Sequence, residues 1–268
     1  MTPPPGAAPL HAFLEHDGPI PMVHRGAPLN SDSQVVENTR AAFRRAYRGG
    51  FRYFETDVRV TQDGVLVACH DHSLRRVAGE RVQIAQVTWA ELSNIPVGDE
   101  PLPRLVDLLD EYPDVSFNID PKVDAAVRPL VGLLLDRDVL ARTCVASFSD
   151  RRLRWVRTAL GPRVCTAAGP RELRRAMTQM AGGQTLDLPG VDVLQVPRWL
   201  TRRTPRLGTR RVDLLEFARR VDLPVHVWTV NDGAEMARLL ARGVDGVMSD
   251  DTDVLTDVFT ANGWRPHR

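Results

Sequence analysis

The chain is predicted to be an α/β protein built as a single-domain (β/α)8 TIM barrel. Three observations predict it. At 268 residues it has the length of a barrel, which typically takes ~250 residues. Short apolar runs alternate with amphipathic stretches along the whole chain, the pattern of a parallel sheet wrapped by helices. And the unusual polar residues stand just where the apolar runs end, which in a barrel is one common rim.

The expected strands are 20–24, 52–58 with a partner at 65–70, 115–120, 143–147, 163–167, 192–196, 225–229 and 244–248. Helical stretches are expected at 37–48, 104–112, 123–137, 149–160, 170–180, 211–221 and 232–242, the last two opening on polar residues and running towards Gly or Pro stops. Residues 71–103 form the longest irregular stretch and are expected to make a small excursion over the barrel mouth. Residues 181–190 read as a mobile loop. No composition break marks a linker, so residues 19–262 read as one barrel, with 1–18 as a flexible N-terminal arm and 263–268 as a C-terminal tail.

Composition narrows the function. The net charge is +1 and the arginines are spread among nearly as many acids, which argues against a nucleic-acid groove with its one-signed patch. Cys69, Cys144 and Cys165 are an odd number without metal spacing, each in an apolar run. Buried reduced thiols and a cytoplasmic location are therefore expected. The proline-rich start lacks the basic and apolar regions of a signal peptide. The longest apolar run, at 129–135, is too short to be a transmembrane segment. Oligomeric state is left open by the sequence.

Among 35 Lys+Arg residues the only lysine is Lys122. An arginine is a broad planar fork and a lysine a compact charge on a thin stem, so one retained ammonium marks a site too narrow for a guanidinium or one that needs a titratable amine. Lys122 closes the run Phe117-Asn118-Ile119-Asp120-Pro121. His24 and Arg25 follow the strand at 20–24, Glu55 and Asp57 close the next, His70 follows its partner, and Trp228 ends a later one. Side chains two apart on a strand share a face, so Glu55 and Asp57 point together and repel unless a cation lies between them. With Asp120 they make three oxygen donors without sulfur, a set that favours one divalent cation, Mg2+ or Ca2+. Arg25 and Lys122 facing such a cation call for an anion, and a phosphate suits both. His24 and His70 are the candidate proton carriers. Placed outside the packed core, Lys122 is expected to matter little for stability.

The ordered set of these residues resembles the glycerophosphodiester phosphodiesterase family. It comprises His24-Arg25-Gly26, Glu37-Asn38-Thr39, Glu55-Thr56-Asp57, Thr61 with Asp63-Gly64, and His70-Asp71. Asn118-Ile119-Asp120-Pro121-Lys122, Ser147-Phe148, Trp228-Thr229-Val230-Asn231 and Gly243-Val244-Asp245-Gly246 complete it. The resemblance covers about residues 20 to 255. It implies a TIM barrel that hydrolyses glycerophosphodiesters, small-molecule substrates, to sn-glycerol 3-phosphate and an alcohol, an activity of glycerol and lipid metabolism. It implies metal binding by Glu55, Asp57 and Asp120, acid–base catalysis by His24 and His70, phosphate binding by Arg25 and Lys122, and a substrate platform at Trp228.

Three departures stand out. Asp120 replaces the usual glutamate, Pro121 replaces an aliphatic residue, and the stretch from Gly26 to Glu37 is long, with Asn30-Ser31-Asp32-Ser33 at its tip. Two other activities fit the same barrel: lysophospholipase D-like or cyclic-phosphate-forming cleavage, and a Schiff-base aldolase using Lys122, which needs a depressed lysine pKa. A non-catalytic phosphate-ester-binding barrel is disfavoured because every proposed catalytic position is filled.

Overall fold

The computed structural model describes residues 11–29, 35–182, 188–202, 206–207, 210–211 and 213–264. Its barrel strands are β1 Ile20–His24, β2 Tyr53–Val60, β3 Ser116–Pro121, β4 Thr143–Val145, β5 Cys165–Thr166, β6 Leu194–Pro197, β7 Val225–Trp228 and β8 Gly246–Ser249. All barrel neighbours are parallel, in the order β5-β4-β3-β2-β1-β8-β7-β6. A parallel bridge from Ala167 to Val193 joins the two ends of this order and closes the ring. The main helices are α1 Arg40–Arg48, α2 Leu105–Glu111, α3 Val127–Asp136, α4 Asp150–Leu160, α5 Pro170–Gly182, α6 Leu214–Arg220, α7 Gly233–Ala241 and α8 Thr252–Ala261. The last, α8, was not among the expected stretches.

Local chemistry sets the boundaries. Thr39 accepts from Ala42 N and starts α1 three residues later than the apolar pattern alone indicates, leaving Glu37 and Asn38 in the loop. Asp213, Asp232 and Asp251 cap α6, α7 and α8 in the same way. Gly26, at φ +80°, lies so close to α1 that a Cβ there would stand 2.5 Å from Ala42 Cβ. Only glycine allows the loop after β1 to press against the start of the helix.

Strand alternation splits the apolar residues into two layers. Val23, Phe54, Val58, Phe117 and Ile119 face the helices and pack with Phe43, Leu105, Leu130 and Leu153. Met22, Tyr53, Cys144, Cys165, Val193 and Met248 fill the barrel interior. Phe13 joins this interior layer fully buried, its ring edge-on to Tyr53 at 5.5 Å. Residues 11–18 were expected to belong to a flexible arm, yet the short helix Ala12–Leu14 plugs the end of the barrel where the strands begin. The excursion at 71–103 has short elements and a small core of its own, including Leu74, Ile84, Leu92, Val97 and Leu102. Residues 30–33, and residues 183–187 of the loop expected at 181–190, lie outside the described residues; α5 runs on to Gly182. All three cysteines are free and buried. Among the described residues no helix is long and apolar enough to cross a membrane.

One interior residue was not anticipated. His226 on β7 is completely buried, and neither ring nitrogen has a hydrogen-bond partner. Its ring fills the space left by Gly246, where a Cβ would come within 2.8 Å of it. Burial pushes its pKa down to about 4, so the folded protein holds it neutral while the unfolded chain protonates near the usual 6.5. The associated stability is complete above the unfolded pKa and is lost as pH falls from about 6.5 towards about 4. Between pH 7 and 5 the protein is expected to lose about 2 kcal/mol through this residue. Urea unfolding at the two pH values, repeated with His226→Gln, checks it: an equal loss in the variant removes His226 as the cause.

Candidate functional site

The strand register gathers the polar residues at the rim where the strands end. His24 lies opposite Glu55 across β1 and β2, and Asp57 opposite Asp120 across β2 and β3. Glu55, Asp57 and Asp120 all point inward and all are buried. Just past β3, the Lys122 amide donates to Val58 O at 3.0 Å, which fixes its backbone against β2.

The Lys122 ammonium sits between two carboxylates, 2.6 Å from Asp57 Oδ1 and 2.7 Å from Asp120 Oδ2. Arg25 Nε reaches Asp57 Oδ2 at 2.9 Å. Asp57 thus has a cation on each oxygen. Glu55 Oε2 and Asp120 Oδ1 are buried with no hydrogen-bond partner, a costly condition for a carboxylate. Burial, reinforced by the neighbouring Asp57 charge, raises Glu55 to about 7. Burial would raise Asp57 as well, but Lys122 and Arg25 outweigh it and hold the carboxyl below its usual value. Asp120 goes the other way: burial outweighs Lys122, and its pKa is raised. The two partners of one lysine differ because Asp57 alone has the second cation. Burial would lower Lys122, yet Asp120 and Asp57 raise it. That is the reverse of what a Schiff-base amine needs.

Both histidines lean on a carboxylate through Nδ1. His24 Nδ1 is 2.5 Å from Asp250 Oδ1, and its Nε2 stands 3.7 Å from Glu55 Oε2. Asp250 is held in turn by Asn231, whose Nδ2 donates to Oδ2 at 2.9 Å. Burial would lower His24, but Glu55 and the bond to Asp250 raise it. His70 Nδ1 is 2.7 Å from Asp71 Oδ1. Asp71 then connects through Arg76, at 2.6 Å, to Glu37, at 2.6 Å, and Glu37 to Arg25, at 3.3 Å. A chain of ion pairs therefore ties His70 to the central cluster. Trp228, at the end of β7, meets the edge of the exposed Phe148 ring at 5.5 Å. The same ring lies 5.7 Å from Lys122 Nζ.

The structure thus joins His24, Arg25, Glu55, Asp57, Asp120 and Lys122 directly, and attaches His70 and Trp228 through intermediaries. Arg25 and Lys122, expected on a phosphate, here neutralise carboxylates. Consistent with that, no three His, Cys, Asp or Glu side chains among the described residues are grouped to hold an ion. Sequence reasoning missed Asp250, and gave Asn231 no role although it lies in the recognised pattern. Asp250 directly follows β8, the same strand-end signal that singled out His24. Glu37, Asp71 and Phe148 belonged to the recognised pattern, but no role was assigned to them.

The glycerophosphoryl diester phosphodiesterase family model matches residues 24–254. The chain is 35% identical over 263 residues to the Mycobacterium tuberculosis protein named Probable glycerophosphodiester phosphodiesterase 2, covering 96% of this chain and 97% of that one. A glycerophosphodiester phosphodiesterase structure from Agrobacterium tumefaciens superposes with a TM-score of 0.73 at 21% identity, over 90% of this chain and 100% of that one. A phosphodiesterase from Oleispira antarctica, in complex with the product sn-glycerol-3-phosphate, gives 0.67 at 20% identity, over 91% and 97%. The two structures establish the shared fold.

Lys122 proves to be part of the buried charge network, so the expectation that its loss is harmless to stability does not hold. Lys122→Ala leaves Asp57 and Asp120 facing each other, and removing one partner of a buried pair costs about 3 kcal/mol or more. In metal-free buffer at neutral pH the variant is expected to be destabilised by about that amount. Chemical denaturation measures it, and a change below about 1 kcal/mol, the scale of an exposed pair, would contradict the placement.

Proposed function

The chain belongs to the glycerophosphoryl diester phosphodiesterase family, a family of phosphoric diester hydrolases, and we propose that it cleaves glycerophosphodiesters to sn-glycerol 3-phosphate and an alcohol with a divalent cation and two histidines. The observation that carries this reading is the pair of histidines, each with Nδ1 on a carboxylate, flanking a cluster of inward carboxylates.

The donor set fits a hard cation. Two buried carboxylate oxygens, Glu55 Oε2 and Asp120 Oδ1, have no partner, and Glu55 is pushed up to about 7 beside Asp57. Glu55, Asp57 and Asp120 would hold Mg2+ or Ca2+, which when bound supplies positive charge to phosphoryl oxygens. Asp120, a methylene shorter than glutamate, leaves room in the cluster for the Lys122 ammonium.

The remaining chemistry belongs to the side chains. With Nδ1–H donated to Asp250, His24 presents a basic Nε2 to the mouth and is suited to take a proton from an attacking hydroxyl. His70, held the same way by Asp71, is suited to protonate the departing alcohol. Attack by the glycerol hydroxyl gives a cyclic phosphate, and water then opens it with the two proton roles exchanged. Arg25 and Lys122 would turn from their carboxylates to non-bridging phosphate oxygens as the phosphate enters. Asp250 positions His24, and Asn231 fixes Asp250. A substrate with a longer apolar alcohol, as in lysophospholipase D-like cleavage, is supported by the exposed Phe148 ring standing against Trp228.

Glycerophosphocholine, glycerophosphoethanolamine, glycerophosphoinositol and lysophosphatidylcholine, each offered with Mg2+, Ca2+ or chelator, test the substrate and the ion. Phosphorus NMR of the product distinguishes the open from the cyclic ester. Turnover is expected to vanish in chelator, and the cation is expected to raise the melting temperature, with about 2.7 kcal/mol of added stability at a hundredfold excess over Kd. Full activity after exhaustive chelation removes the ion from the mechanism. His24→Ala and His70→Ala are each expected to slow kcat by about 10²-fold or more. Asp250→Asn is expected to lower kcat by at least about 10²-fold with KM little changed, because the amide no longer holds the required tautomer. Wild-type kcat in any of these variants strikes that residue from its role.

A further inference from the structure

The arginines are not spread as evenly as expected, and although Arg151 and Arg152 pair with Asp124, one segment keeps an excess. Residues 150–182, spanning α4 and α5, contain eight arginines and two acids, a net charge of +6 in a chain whose total is +1. The fold places α4 and α5 side by side on the outer layer, and between them runs a groove of about 560 Å³ lined by Arg154, Thr158, Arg171 and Arg175, among others. A second groove of about 480 Å³ adjoins it, sharing Arg171 and Arg175 and adding Arg174 and Thr178.

The two acids in this region are already engaged. Asp150 Oδ1 accepts from the Arg171 and Glu172 amides at 3.0 and 3.2 Å, which caps α5 from the neighbouring helix. Glu172 pairs with Arg157 at 2.5 Å and accepts from Gly169 N at 2.8 Å. Arg157 itself is a structural clamp, donating also to Thr166 Oγ1 and Ala167 O. Arg154, Arg171 and Arg174 remain exposed, without a carboxylate partner among the described residues. Elsewhere Arg25, Arg40, Arg52, Arg76, Arg104 and Arg137 each face an acid. At the mouth, Arg25 and Lys122 are both held by carboxylates.

We propose that the α4–α5 groove is a second anion site, separate from the barrel mouth, for a soluble ligand bearing two or more phosphate groups. Guanidinium forks match phosphate oxygens in pairs. Thr158 adds a hydroxyl, and only Leu188 and Pro189 are apolar in the larger lining. Three uncompensated cations across adjoining concavities suit a chain of phosphates better than a single one. A lining made mostly of charged and hydroxyl-bearing side chains favours a soluble anion over a lipid surface. The inference does not depend on the reaction at the mouth.

Inorganic tripolyphosphate is the probe, titrated calorimetrically into the full chain in chelator. Binding is expected to weaken with added salt. It is expected to fall at least tenfold in the double variant Arg154→Ala/Arg171→Ala and to persist in Lys122→Gln, a change at the mouth, measured at a temperature where circular dichroism shows that variant folded. Hydrolysis by the double variant, without tripolyphosphate, is expected to equal that of the wild type. Affinity that survives in the double variant, or that disappears with Lys122→Gln, overturns the proposal. Binding of the wild type to anionic phosphatidylglycerol vesicles, with none to tripolyphosphate, overturns it in favour of a membrane surface.

Discussion

The rim of this barrel depends on how three buried carboxylates are kept together. Glu55, Asp57 and Asp120 arrive at one place because β2 and β3 pair in register and alternate. Like charges this close do not all ionise without positive charge among them. Lys122 and Arg25 supply it, and they do so unevenly: Asp57 has both cations, Asp120 has one, and Glu55 has neither in direct contact. The pKa directions follow that distribution, with Asp57 held low, Asp120 raised and Glu55 pushed up to about 7. The cluster is thus one cation short of balance, and the shortfall falls on two oxygens that lack a hydrogen-bond partner. The order of the three pKa directions and the cost of removing either cation follow from the same deficit.

Around that centre the fold supplies fixed attachments. The loop after β1 turns tightly because Gly26 lets it touch α1. This places Arg25 over Asp57 and leaves Glu37 in the loop to receive Arg76. The excursion after β2 brings its own small core, so His70 and Asp71 stand on a packed base. On the opposite side β8 delivers Asp250 to His24, and Asn231 after β7 secures it. Each histidine takes its orientation from a different part of the chain, His24 from Asp250 after β8 and His70 from Asp71 beside it.

Much of this was legible in the sequence because strand ends are easy to read. An apolar run followed by a histidine or an acid places that residue at the rim whatever the neighbouring strands do. The signal found His24, Glu55, Asp57, His70, Asp120, Lys122 and Trp228. It also applies to Asp250, but the expected strand ends at residue 248, and the acid two residues further on was given no role. Pairwise partners were not legible. Nothing local says that Lys122 spans Asp57 and Asp120, since that follows from register between strands about sixty residues apart. His226 was hidden for the same reason. Its burial depends on Gly246 in the next strand, which leaves the space that the ring fills.

The lone lysine can now be read against its surroundings. Its Nζ lies within 2.7 Å of two carboxylates on adjacent strands and 5.7 Å from an aromatic ring. A guanidinium bridging the same oxygens would need a broader opening, because its nitrogens are spread over a plane and not concentrated at one point. Arg25 already takes the other side of Asp57. The shorter Asp120 side chain and the lysine are therefore two parts of one arrangement, in which a shorter acid leaves room for a slender cation. Arginine serves well on the outer helices, where planar forks have space and anions can approach from solvent. At the rim, space between the carboxylates is the limiting quantity, and that is where the chain keeps its single ammonium.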